Sequence, residues 1–311
     1  GGSIRIPAAF CGIYGHRPSE TLVPRFGYVP GPSLPNPAMI MNVQGPLARS
    51  AQDLELGLNS IIGPENGESI AWHVKLPPPR STKLADFRVA VLPYADWLPV
   101  DEEIEASIDD LAFHLRRCGA KVSQAMPEDF DLWQHEKLYA SLLSSVAQCD
   151  MDDATRLQVA TWTRQCPDPF GEDEYAGLMA SASHYFKWLE QRERYRISYR
   201  NFFRNWDILL SPVTISLPFQ HYNTNIPMIL RTLEINHKAT PYMRMRVYPG
   251  LATLSGLPAT AFPWGCSRSG LPISVQAIGP YLEDRTPLAF VALLEQAFGR
   301  AQSPPDYLGD Q

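Results

Sequence analysis

Apolar residues recur at helical spacing in three well-separated stretches of the chain. Leu54, Leu58, Ile61 and Ile62 form one stripe; Ser50 precedes it as an N-cap, Asp53 follows three residues on, close to a capping box, and Gly63 supplies a stop. Ile104, Ile108, Leu111, Ala112 and Leu115 form a second, predicting a helix over Asp101 to Cys118. Its first turn is acidic, and Arg116 and Arg117 precede Gly119, so the charges suit the helix dipole. A third helix carries Leu288, Val291, Leu294 and Phe298, with Thr286 as cap, Pro287 at its first position and Gly299 at its end.

Short continuous apolar runs predict the strands. Phe87 to Leu92 and Ala120 to Ser123 flank the second helix, and strand, helix and strand in that order imply a right-handed parallel crossover. Asp207-Ile-Leu-Leu-Ser-Pro predicts a further buried strand, and Ala259 to Phe262 with Ile273 to Ile278 predict a hairpin across Gly265 to Gly270. From about 130 to 206 the pattern is nearly all helical, with one long pattern from Asp173 to Trp206, so here the chain leaves the sheet. The fold class expected is α/β, a sheet with helical covers.

Composition narrows the class. The chain has 311 residues, 45% of them hydrophobic and 19% charged, which is the balance of a globular protein. Twenty-seven basic against 33 acidic residues give a net charge of −6, which argues against nucleic acid or an anionic membrane as partner. Prolines cluster at 30–37 and 77–79, predicting long structured loops. Five cysteines, at 11, 118, 149, 166 and 266, lack close spacing, which argues against a disulfide framework or zinc site and for a reduced, cytoplasmic setting. No apolar stretch is long enough for a membrane span, and no signal-peptide pattern opens the sequence.

The candidate chemistry lies at the start, in GGSIRIPAAFCGIYGHRPS. Two glycines before a serine let the backbone approach a reacting carbonyl and turn successive N–H groups toward a developing oxyanion. Ser3 is the candidate nucleophile, with a linker or cloning scar as the alternative for Gly-Gly-Ser by itself. Seven histidines show no metal-ligand spacing, and no phosphate-binding glycine motif is present, so no metal or cofactor is expected. A triad of Ser3, His16 and an aspartate is a weaker alternative. Helix residues Lys187 to Arg204 interleave cations with aromatics, as an RNA-contacting face would, but Glu190 and Glu193 break the run and favour a solvated face with a Leu178, Ala182, Tyr185, Leu189 core stripe.

The whole opening segment resembles the end of the amidase signature, T-D-x-G-G-S-I-R-x-P-A-x-x-C-G-x-x-G-x-[KR]-P-[ST]. QGPLARSAQDLELGL, DILLSP and LSGLPATAFPWGCSRSGLPISVQAIGP resemble further segments of that family, in the family's order. The resemblance implies a twisted mixed β-sheet covered by helices over 1–311, lacking its N-terminal portion, with the helices of about 130–206 forming part of a substrate pocket. It implies hydrolysis of a small-molecule amide to acid and ammonia or amine through an acyl-serine intermediate on Ser3, with Gly1 and Gly2 as the oxyanion loop. Arg5 is expected to anchor that loop structurally through a carboxylate. The family's base is a desolvated lysine acting through a cis-serine, and both precede this motif in the family. None of the six lysines, at 75, 83, 121, 137, 187 and 238, matches that position. The alternatives are a catalytically inactive remnant and the A-type component of an amidotransferase, and homodimerisation is left open.

Overall fold

A computed structural model describes residues 1–25, 39–222 and 225–299; the proline cluster at 30–37 lies outside the described residues. In chain order the elements are α1 (Arg5–Phe10), β1 (Tyr14–Arg17), β2 (Leu47–Ala48), α2 (Ala51–Ile61), β3 (Arg88–Val91), α3 (Glu102–Arg117) and β4 (Lys121–Gln124). Four helices follow, α4 (Leu132–Ala147), α5 (Asp153–Gln165), α6 (Gly171–Leu178) and α7 (Ala182–Phe202). The chain then forms β5 (Ile208–Pro212), β6 (Thr232–Ile235), β7 (Lys238–Pro241), α8 (Val247–Ser255), β8 (Ala259–Cys266), β9 (Pro272–Ile278) and α9 (Arg285–Phe298).

Seven strands make one sheet in the order β2-β1-β8-β9-β5-β3-β4, while β6 and β7 pair as a separate antiparallel ribbon. The sheet is mixed, as expected. β3 runs parallel to both β4 and β5, with Val89 opposite Val122 on one side and Ile208 on the other. Parallel neighbours need long crossovers: α3 makes the first, and α4 through α7 lie within the second. From β5 onward the pairing is antiparallel through β9, β8, β1 and β2. The predicted hairpin is β8–β9, with an irregularity between Pro263 and Cys266.

Local chemistry sets most helix ends where the sequence places them. Ser50 Oγ accepts the Asp53 N–H at 3.1 Å and donates to Asp53 Oδ2 at 2.7 Å, so each residue satisfies the other. Leu54 and Leu58 are fully buried, whereas Ile61, in the last helical position, is 38% exposed. All five predicted stripe residues of α3 are buried, and Asp101 caps it by accepting the Glu103 N–H.

Two expectations fail for stated reasons. The last helix begins at Arg285 with Asp284 at its N-cap, so Pro287 is third rather than first. Thr286 is drawn away from capping, its hydroxyl accepting the Arg80 N–H at 3.3 Å. The long pattern from Asp173 also breaks, between α6 and α7, because Ser181 accepts the His184 N–H and starts a new helix. Of the predicted stripe, Leu178 is buried, Tyr185 and Leu189 are half-buried and Ala182 is exposed. The α7 cations are largely committed within the chain: Arg192 binds Glu20 and the Leu254 carbonyl, and Arg196 and Arg200 both reach Glu193. No helix among the described residues is long and apolar enough to cross a membrane.

Asp207 of the DILLSP segment fastens the parallel half of the sheet. Its carboxylate accepts from the Arg88 backbone N–H at 2.9 Å and from the Arg88 guanidinium at 2.6 and 3.0 Å, with Arg80 at 3.3 Å. Burial works to raise its pKa, but these donors win and hold it below the usual carboxylate value. The linkage sign follows: the stabilisation is present above the ordinary aspartate pKa and is lost as pH falls through the lowered folded value. Asp207→Ala is expected to lower stability by about 2 kcal/mol near neutral pH, with the difference from the parent vanishing in strong acid. Denaturant unfolding as a function of pH measures both; a difference independent of pH would refute the charge-based account.

Candidate functional site

The segment before α1 is a tight turn whose shape depends on glycine. Gly2 has φ of +98°, and a Cβ there would lie 2.7 Å from Ile6 Cδ1 and 3.2 Å from Pro249 Cγ. Its carbonyl accepts the Ile6 N–H at 2.9 Å, so the turn runs directly into the helix. Ser3 follows on the exposed side, and among the described residues its hydroxyl has no hydrogen-bond partner. Gly1 also reaches the surface.

Arg5 opens α1 and points away from Ser3 into the core, where it is 1% exposed. Among the described residues no carboxylate meets it. Its guanidinium donates to Gln276 Oε1 at 2.5 Å, to the Pro249 carbonyl at 2.9 Å and to Thr253 Oγ1 at 3.0 Å, all neutral acceptors. Gln276 is held in turn, its Nε2 donating to Ser211 Oγ, the Pro212 carbonyl and the Tyr248 carbonyl at 2.9 to 3.0 Å. Burial and then Arg17 push Arg5 down to about 9, and it remains charged at neutral pH. Through these bonds Arg5 joins the start of α1 to β9, β5 and α8.

His16 does not join Ser3. It lies fully buried in β1, with Nδ1 2.8 Å from Thr260 Oγ1 and Nε2 3.2 Å from Asp284 Oδ1. Asp284 also accepts the Ser19 N–H at 2.7 Å and the Ser19 hydroxyl at 2.6 Å. This network closes the end of the opening segment onto the start of α9. It satisfies every buried polar group it contains, which is the behaviour of a structural cluster.

Sequence reasoning missed a second buried cluster beside the turn. Arg246, just before α8, binds Glu174 of α6 and lies 3.8 Å from Glu136 Oε1 of α4, while Arg244 is 3.7 Å from Asp168. Burial pushes Glu136 up to about 8, opposed by Arg246 and reinforced by Asp168, Glu174 and Asp173. One turn along α4, Tyr139 is fully buried with its hydroxyl unpartnered among the described residues. His135 is likewise unpartnered, packed against Phe130 and Tyr195, and burial pushes it down to about 3. The sequence signal was faint: polar residues inside an otherwise apolar helix, with no spacing that names their partners.

Two outcomes are expected. Arg5→Ala should lower stability by about 2 to 4 kcal/mol, since it removes three buried hydrogen bonds and leaves a void, and should speed hydrogen exchange at the amides of residues 2–6. Unchanged exchange there would remove the anchoring role. For Glu136, the folded state holds a proton that the unfolded chain has released between the ordinary glutamate pKa and about 8. Stability should therefore fall as pH rises through that window and level off above it. Glu136→Gln should flatten this slope, and an identical pH profile in the variant would contradict a carboxyl whose pKa burial raises.

Comparison with known proteins places these motifs. Residues 1–288 match the Amidase family. The chain is 26% identical over 336 residues to the A-type component of the glutamyl-tRNA(Gln) amidotransferase of Brevibacillus brevis, covering 99% of this chain and 64% of that protein. It superposes with TM-score 0.73 on a structure from a vestigial protein complex bearing on the origins of an s-triazine catabolic enzyme, at 23% identity, 97% of this chain and 62% of that one. A bacterial aryl acylamidase of the amidase signature family gives TM-score 0.70 at 24% identity, 96% of this chain and 61% of that one. The two structural likenesses speak for the fold alone, and the chain spans less than two thirds of the length of these relatives. With the match running from the Gly-Gly-Ser turn through the first residues of α9, the chain belongs to the amidase signature family.

Proposed function

We propose that the protein is an amide hydrolase in which Ser3 is the nucleophile. The observation that carries this reading is the turn itself: an exposed serine follows a glycine at φ +98°, on a segment locked from below by a buried arginine. Ser3 Oγ adds to the amide carbon as its proton leaves to a base. The C–N bond then breaks, the departing nitrogen takes a proton, and water cleaves acyl-Ser3 to the acid. Backbone N–H groups of the Gly1–Gly2 segment would face the oxyanion, each such donor being worth roughly 10² to 10³ in rate.

The base is a separate matter. A lysine accepts a proton near neutral pH only when desolvation lowers its pKa. None of the six lysines of the chain is buried, five being exposed and Lys137 half-buried. The family resemblance implies a lysine and cis-serine from segments that precede this motif, and no residue of this chain is assigned to either role. We assign α4 through α7 to the substrate pocket and the protein to a cytoplasmic setting. A second reading rests on the Brevibacillus brevis relative, which is named for its place in an amidotransferase: ammonia released at Ser3 would then pass to a partner protein. Copurifying partners and glutamine-dependent ammonia release would favour that reading.

In the full-length gene product a fluorophosphonate should label Ser3, and Ser3→Ala should lower turnover of an amide panel by roughly 10³-fold or more. Turnover retained in that variant would sink the assignment.

A further inference from the structure

Helix α4 underlies the nucleophile turn. A Cβ at Gly1 would lie 2.8 Å from Tyr139 Oη and 3.1 Å from Leu143 Cδ2, so two side chains one helical turn apart form the surface on which Gly1 rests. Tyr139 is itself seated by α8: a Cβ at Gly250 would lie 2.8 Å from its Cδ1 and 2.9 Å from its Cε1. Gly250, the Tyr139 ring and Gly1 therefore form a close-packed line from a fully buried helix to the turn that carries Ser3. A side chain in such a line has no free volume in which to shift without moving one of its neighbours.

The hydroxyl is the unusual part. It is sealed from solvent and has no hydrogen-bond partner among the described residues, an arrangement that costs stability and is rare in folded proteins. Burial and then Glu136 push the phenol up to about 12, so it is neutral at working pH. Phenylalanine would keep the ring's packing against Gly250 and lose only the oxygen, the Tyr139 atom that a Cβ at Gly1 would meet first.

We infer that Tyr139 is a positioning residue for Ser3: wedged between Gly250 and Gly1, it fixes the height of the Gly1–Gly2–Ser3 turn, and with it the serine hydroxyl and the oxyanion-loop amides. Being fully buried, it acts through Gly1 and does not touch the substrate. The inference rests on the reading of Ser3 as nucleophile.

The test uses the full-length gene product with Tyr139→Phe, Gly250→Ala, Tyr139→Leu and the double variant Tyr139→Leu/Gly250→Ala. Tyr139→Phe keeps the ring and removes the atom against Gly1. It should lower kcat about tenfold with KM unchanged, and should leave Tm unchanged or raised because an unpartnered buried hydroxyl has gone. The rate of fluorophosphonate labelling of Ser3 should fall by the same factor, a readout that a merely structural role would not move in folded protein. Gly250→Ala pushes a methyl into the ring and should reproduce the kinetic loss. Its effect should shrink in the Tyr139→Leu background, where that ring is absent. Ser3-dependent turnover indifferent to Tyr139→Phe, with an unchanged labelling rate, overturns the inference and leaves the nucleophile assignment standing. Turnover that survives Ser3→Ala removes the assignment and this inference together.

Discussion

A guanidinium sealed in the protein interior, with no carboxylate beside it among the described residues, is the constraint around which the rest of the molecule is arranged. Arg5 loses its water on folding and, among the described residues, recovers hydrogen bonds from a side-chain amide, a carbonyl and a hydroxyl. Those acceptors come from β9 and α8, so the charge is tolerable only when both are already in place. Gln276 has to present its oxygen to Arg5, which directs its nitrogen toward Ser211, Pro212 and Tyr248. A one-residue slip of β9 would turn Gln276 to the other face of the sheet and strand the guanidinium. The register of the antiparallel half and the order of the opening turn are in this sense one condition.

Two guanidinium groups, those of Arg5 and Arg17, are buried in the opening segment that carries the same turn. Glu136, the carboxyl that bears on Tyr139, is pushed toward its neutral form by burial. For the proposed acyl transfer, buried cations in a low-dielectric interior would stabilise an oxyanion without having to reorganise as it forms.

Elements with a strong local signature were legible from the residues alone. The stripe of α3, the Ser50–Asp53 cap, the β8–β9 hairpin and the parallel strand pair all follow from short-range patterns that tertiary contacts reinforce. Failures arose where a distant partner decided the outcome. Thr286 looked like a cap until Arg80 claimed its hydroxyl, and the acceptors that meet Arg5 among the described residues are neutral groups more than 240 residues away. β1 gave no strand signal, because Gly15, His16 and Arg17 are polar or featureless in sequence; their burial comes from pairing with β8 and from the Asp284 network. The Gly-Gly-Ser turn was readable as candidate chemistry, whereas Tyr139 and the Glu136–Arg246–Glu174 cluster were not. Helical periodicity says which residues face inward, but not which of them meet.

The sheet order also dictates when the protein can fold. β1, completed by residue 17, hydrogen-bonds to β8, and Arg5 needs Gln276 of β9. At roughly 5 to 20 residues per second of synthesis, the Gly-Gly-Ser segment waits on the order of 10 to 50 s on the ribosome before these partners emerge. During that interval a strand edge and an arginine destined for burial are both exposed, and closing so long a loop is slow. Nascent-chain chaperones would therefore meet the Gly-Gly-Ser turn long before β8 and β9 exist and release it only once they do.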